Sequence, residues 1–251
     1  RIYRKILKTL FYFNPEIDKT FEVKKIGTIY GGYDVYVKKL KNPLIISCGL
    51  GEDASFDIDM INNFNAKIIT LDPTPRAKEY FLKIKKNFGK NREINYDESG
   101  NLDIKSYDLR NVNVQNFIFL DSAIWDNSNE KIKLYYPEDD AHVSCSINLK
   151  HSKKDNFFLA NTISYKKICE KMQLDQIDIL KLDIEGSEIK VLNEILSEDS
   201  LPHQILVEFD IRRRNTLKNY INLKKIHKKM KKFYDLININ AKGDFTYILK
   251  E

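Results

Sequence analysis

The sequence predicts an α/β domain built on a mostly parallel sheet with helices on both faces. Three observations predict it. Short apolar runs of four to seven residues recur along the chain between turn residues. Stretches of helical period separate most of them, as strand–helix–strand units require. The last two runs, YDLININ and DFTYILK, have no helix between them, which makes them an antiparallel pair at the sheet edge.

At 251 residues the chain can bury one sizeable core. Its 42% apolar and 12% aromatic content excludes a disordered chain, and its net charge of +6 is modest. No run of 18 apolar residues exists, and RIYRKILKTLFYF lacks the small-residue site of a secretory leader. Cys48, Cys145 and Cys169 are too few and too widely spaced for a disulfide framework or a zinc site, so no metal ligands are assigned. A reducing, cytoplasmic setting is expected, with peripheral contact at the inner membrane face as a further expectation.

Residues 1–13 have the pattern of a short basic amphipathic helix, with Ile2, Ile6, Leu10 and Phe13 on one side. Residues 21–40 alternate around Gly31-Gly32 and predict a hairpin. Residues 1–42 are therefore expected as an N-terminal extension, and 43–251 as the main domain. There PLIIS (43–47), AKIITLD (66–72), FIFL (117–120), DILKLD (178–183) and QILVEFD (204–210) predict strands. Helices are expected over 53–64, 76–88, from a cap at Thr162 or Ser164 to Leu174, over 188–196, and over 215–233. In the last, Leu217, Ile221, Met230 and Phe233 are expected to face inward. Residues 126–160 show no clear period and are expected as a long functional loop.

The stretch SCGLGEDASFDIDM (47–60) carries the first chemistry. A strand, then Gly49-Leu50-Gly51, then a helix is a nucleotide-binding turn. The first glycine permits the bend, the second lets a ligand approach the backbone, and the helix start is expected to offer free N–H groups. Asp72 follows Gly51 by 21 residues, at the end of the next strand, where an acid can accept ribose hydroxyls. A turn-forming role before Pro73 stands beside that. NAD and S-adenosylmethionine share this half. Glu52 and Asp53 would repel a pyrophosphate at the helix start and tolerate a sulfonium, which favours the latter.

The second constellation is KLDIEG (181–186) and VEFD (207–210), which put Asp183, Glu185 and Glu208 at strand ends. Ligands in open α/β sheets sit at the carboxyl ends of strands, near the switch in strand order. Carboxylates clustered there can serve as a general base towards a hydroxyl. Glu185 could equally cap the next helix near Ser187. His142, in DDAHVSCS, is a further candidate proton acceptor. Arg212–Arg214 and the lysines of 215–232 suit an anionic substrate or a phospholipid surface. Nucleic acid is disfavoured, because aromatics suited to stacking are not interleaved.

Together SCGLGEDASFD, LDPTP, AIWD, HVSCSI and DILKLDIEGSEIKVL…QILVEFD resemble the FkbM family of S-adenosylmethionine-dependent methyltransferases over roughly residues 43–250. The resemblance implies a class I methyltransferase fold, Rossmann-like and seven-stranded, with a reversed final strand. It implies cofactor binding by Gly49, Gly51 and Asp72 with the adjoining Pro73 and Thr74, an adenine flanked by Ala123 and Ile124, and an active centre at Asp183 and Glu185. Ser47 and Ser164 stand where the family often has acids; Asp53 could take over the first of these contacts to the methionine end. The function implied is O-methylation of a sugar or glycan hydroxyl in surface polysaccharide or glycolipid synthesis. A nicotinamide-dependent oxidoreductase and a non-catalytic module for anionic ligands are the alternatives.

Overall fold

A computed structural model describes residues 12–97, 100–137, 145, 147, 152–213 and 216–251. The seven-stranded sheet runs in the order β11-β12-β10-β9-β3-β4-β5. Its strands are β3 (Leu44–Cys48), β4 (Lys67–Leu71), β5 (Phe117–Leu120), β9 (Ile179–Leu182), β10 (Gln204–Val207), β11 (Tyr234–Ile239) and β12 (Phe245–Leu249). β5, β4, β3, β9 and β10 are parallel neighbours, whereas β12 runs antiparallel to both β10 and β11. This is the expected class, with the last strand reversed.

The strands read as continuous apolar runs because both sheet faces are buried. Ile45, Ile68, Ile179 and Leu206 enter one core with α1 (Ser55–Phe64) and α2 (Pro75–Lys85). Their neighbours Ile46, Ile69, Leu180 and Ile205 enter the opposite core with α3 (Tyr165–Met172), α4 (Glu188–Ile195) and α5 (Leu217–Met230). Of the two caps expected for α3, Ser164 is the one used, accepting from the Lys167 N–H.

The N-terminal hairpin is present but short: β1 (Lys24–Ile26) pairs with β2 (Tyr33–Val35). It lies on the α1 side, where Ile26, Tyr33 and Val35 share the core of β3. Gln204 exchanges two hydrogen bonds with the backbone of Tyr36, and the Thr246 hydroxyl donates to the Asp34 carbonyl. The helix expected over 1–13 lies mostly outside the described residues. Phe13 is buried against Tyr220, His227 and Phe245.

Two expectations are corrected. The segment 126–160 is not a structureless loop: β7 (Lys131–Pro137) and β8 (Ser152–Ile163) pair antiparallel, and β6 (Ala123–Ile124) joins β8 in a second sheet. Only one face of this pair is covered, so half of its positions are polar or exposed and the apolar signal is diluted. On α5 the inward face is Leu223, Ile226 and Met230, while Leu217, Ile221 and, beyond the helix, Phe233 are exposed.

Leu180 is fully buried at the middle of the sheet, so Leu180→Ala should lower the unfolding free energy by about 2–5 kcal/mol in urea titration. A loss under about 1 kcal/mol would contradict the central position of β9.

Candidate active site

The order of the sheet reverses at β3, whose neighbours are β4 on one side and β9 on the other. A cavity of about 590 Å³ opens over the carboxyl ends of these strands. Gly49, Gly51, Asp53, Asp72, Pro73, Thr74, Ala123, Ile124, Asp183, Glu185 and Glu208 all line it. Ser47 does not: its side chain is buried in β3, towards Asp57 of α1. His142 lies outside the described residues.

The two glycines have different reasons. Gly49 has φ +87, and a Cβ there would stand 2.0 Å from the carbonyl oxygen of Asp183. It is required by the approach of the β9 end. Gly51 has φ +56, and a Cβ there would meet nothing within 4 Å. The space beside its Cα is open.

The turn is held by its own neighbours. Asp72 Oδ2 accepts from the N–H groups of Leu50 and Gly51, both at 3.0 Å, while Oδ1 accepts from the Thr74 N–H at 2.9 Å and hydroxyl at 2.6 Å. The carboxylate therefore clasps the glycine turn and forms the turn at Pro73 together. The Ala54 N–H donates to the Tyr107 hydroxyl and the Ser55 N–H to Asp53 Oδ1. The expectation of free N–H groups at the helix start is thus corrected at Ala54 and Ser55, and the turn N–H groups of Leu50 and Gly51 have protein acceptors as well. Glu52 is ion-paired with Arg76 at 2.7 Å, so its charge is compensated and repels an anion less than the sequence suggests.

Asp53 has both oxygens engaged, Oδ1 with Ser55 and Oδ2 with the Thr28 hydroxyl at 2.7 Å. It ties the hairpin to the start of α1. The same hairpin brings Tyr30 and Gly31 to the cavity wall and buries Tyr33, whose hydroxyl donates to Asp183 Oδ2 at 3.0 Å. Burial, with the Asp183 charge second, pushes the Tyr33 phenol well above its ordinary value, so it stays a donor.

Glu185 sits in the left-handed region at φ +49, followed by Gly186 at φ +108. The cap at this corner comes from Glu188, whose Oε1 accepts from the Gly186 N–H at 2.7 Å. Burial pushes Glu188 up to about 8, with Asp210 and Asp183 adding to it against the backbone donors. Sequence reasoning missed this carboxyl, because an acid in a helical first turn reads as an ordinary capping residue. It also missed Tyr33, Tyr30, Lys181 and Lys242, and the inner face of β7, where Ile132 and Leu134 join Cys145 and Ile147 along the cavity. Among the described residues no group of three or more His, Cys, Asp or Glu is placed to hold a metal.

A family model described as the methyltransferase FkbM domain matches residues 3–233. The chain belongs to the FkbM methyltransferase family. No curated protein matches this methyltransferase. Among solved structures it is similar to a fibrillarin/Nop5p complex, at 10% identity and a TM-score of 0.43 over 84% of this chain and 73% of that one. It is also similar to a Pyrococcus horikoshii protein described as a transferase, at 9% identity and a TM-score of 0.31 over 92% of this chain and 71% of that one.

Gly49→Ala should cost at least about 3 kcal/mol in urea unfolding, since backbone must move, and Gly51→Ala only about 1–2 kcal/mol for its left-handed φ. Equal losses would contradict the different roles. Glu188 holds its proton more tightly folded than unfolded, so its stabilisation is complete below the ordinary value of 4.5 and is lost as pH rises through about 8. Glu188→Gln should remove a fall of a few kcal/mol across that window. A parallel pH dependence in wild type and variant would show that Glu188 titrates normally.

Proposed function

We propose that this protein is an S-adenosylmethionine-dependent O-methyltransferase acting on a hydroxyl of a sugar or glycan. The observation that carries the choice of cofactor is the engagement of the turn's N–H groups. A pyrophosphate at a helix start is held by N–H groups with no other acceptor, and four here are already bonded. A nicotinamide dinucleotide would have to displace Asp72, Tyr107 or Asp53. An adenosyl group with an amino-acid tail needs no such donors. The residues present fit it: open space over Gly51, a carboxylate at Asp72, and an apolar wall of Leu71, Ala123 and Ile124 suited to a planar base.

When bound, S-adenosylmethionine supplies an electrophilic methyl group on a sulfonium. Asp72 and the glycine turn would hold the nucleoside. Asp72 already accepts four bonds, so ribose hydroxyls would share or replace those from Thr74. Asp183 lines the cavity with one oxygen fixed by Tyr33, and its remaining acceptor capacity suits the proton of an acceptor hydroxyl. Glu208 directly follows the adjacent strand β10 and lines the same space. The main contribution of such a site is positioning.

A sugar acceptor is supported by the rim. Tyr30 is about half exposed there and offers a ring to the apolar face of a pyranose, and the polar Asn101, Glu208 and Lys242 line the same cavity. Lys218, Lys224, Lys225, Lys228 and Lys229 are exposed on α5. That face suits an anionic lipid-linked acceptor at a membrane surface. Among the described residues no helix is long and apolar enough to cross a membrane.

Isothermal titration with S-adenosylhomocysteine should show one site. Asp72→Ala should weaken it by tenfold or more, about 1.4 kcal/mol, and NADH fluorescence should not change on mixing. Tight NADH binding with no heat from S-adenosylhomocysteine would overturn the proposal in favour of an oxidoreductase.

A further inference from the structure

We infer that Lys181 is the receptor for the carboxylate of the cofactor's amino-acid tail, an assignment that rests on the adenosyl reading of the cavity. The tail carries one carboxylate, which needs a cation once it leaves water. Among the described residues three cations line the cavity: Arg76, Lys181 and Lys242. Arg76 is paired with Glu52 at 2.7 Å. Lys242 lies 3.5 Å from Asp244 and donates to the Tyr30 carbonyl.

Lys181 differs from both. It is 4% exposed, and its ammonium donates to neutral carbonyls, that of Gly49 at 2.6 Å and that of Cys48 at 3.5 Å. An ammonium has three donors, so one remains after these two bonds. The face of the Tyr33 ring lies 5.2 Å away. Asp57 acts on the ammonium from the α1 side without a direct ion pair to it, and Asp183 follows two residues along the same strand. A buried ammonium facing carbonyls is costly, and a methionine of similar length would fill the space without a charge. The cation is accounted for once an anion enters the cavity.

Its position fits the tail and not the ribose. Asp72 directly follows β4 and Lys181 lies on β9, on opposite sides of β3 and its glycine turn. A nucleoside on the Asp72 side therefore extends its chain across Gly49 towards β9. The missing acid at Ser47 takes nothing from this contact, because Ser47 does not line the cavity.

Titration calorimetry with three ligands tests the assignment: S-adenosylhomocysteine, its decarboxylated analogue S-adenosyl-3-thiopropylamine, and 5′-methylthioadenosine. Wild type should bind S-adenosylhomocysteine about tenfold or more tighter than the decarboxylated analogue. Lys181→Met should lose that preference while keeping its affinity for 5′-methylthioadenosine. An equal loss for all three ligands would assign Lys181 only to shaping the turn and overturn the inference. So would a wild type that binds both long ligands equally, an arm that needs no folded variant. Wild type binding none of the three removes the adenosyl reading itself, and the inference with it.

Discussion

The close approach of the ends of β3 and β9 is the constraint on which the site depends. The carbonyl of Asp183 occupies the place where a side chain at residue 49 would begin. With glycine there, the Asp183 N–H donates to the Cys48 carbonyl and the two strands stay paired to their last residues. Asp183 then stands at the mouth of the crevice beside the turn. Lys181 reaches the Gly49 carbonyl from one side, and Asp72 reaches the Leu50 and Gly51 N–H groups from the other. The glycine turn is fixed from both flanks before any ligand arrives.

Under the proposed function, that fixation limits what the crevice can bind. Preorganised donors and acceptors bind well only the group they were left open for. Here four backbone donors of the turn and the helix start are consumed internally, and open space lies beside the Cα of Gly51. These terms support the proposed adenosyl ligand over a diphosphate. The N-terminal hairpin and the β6–β8–β7 sheet complete the walls, one with Tyr30 and Tyr33, the other with Ile132 and Leu134. The hairpin is thereby part of the cavity wall and not only a preface to the main domain.

The parallel strands and the helices between them were legible in the sequence because burial on both faces leaves unbroken apolar runs such as LIIS and KIITL. The glycine turn, Asp72, Asp183 and Glu208 were legible because strand ends have fixed places in such a sheet. What was hidden depended on partners distant in sequence. Tyr33 meets Asp183 across 150 residues, and no local pattern marks a tyrosine in a short hairpin as a neighbour of that carboxylate. β7 and β8 were hidden because one face is open and the other contacts a cavity rather than a full core. The charges of Glu52 and Asp53 were visible in the sequence, but the Arg76 guanidinium that pairs with Glu52 and the Thr28 hydroxyl that donates to Asp53 were not. The argument from repulsion therefore gives way to one from occupied donors, with the same ligand favoured.

Native mass spectrometry of the protein mixed with equimolar S-adenosylhomocysteine and NAD tests the central claim most directly. The account predicts a single adduct with the mass of the adenosyl ligand. An adduct of the dinucleotide, or of both at comparable abundance, would contradict it.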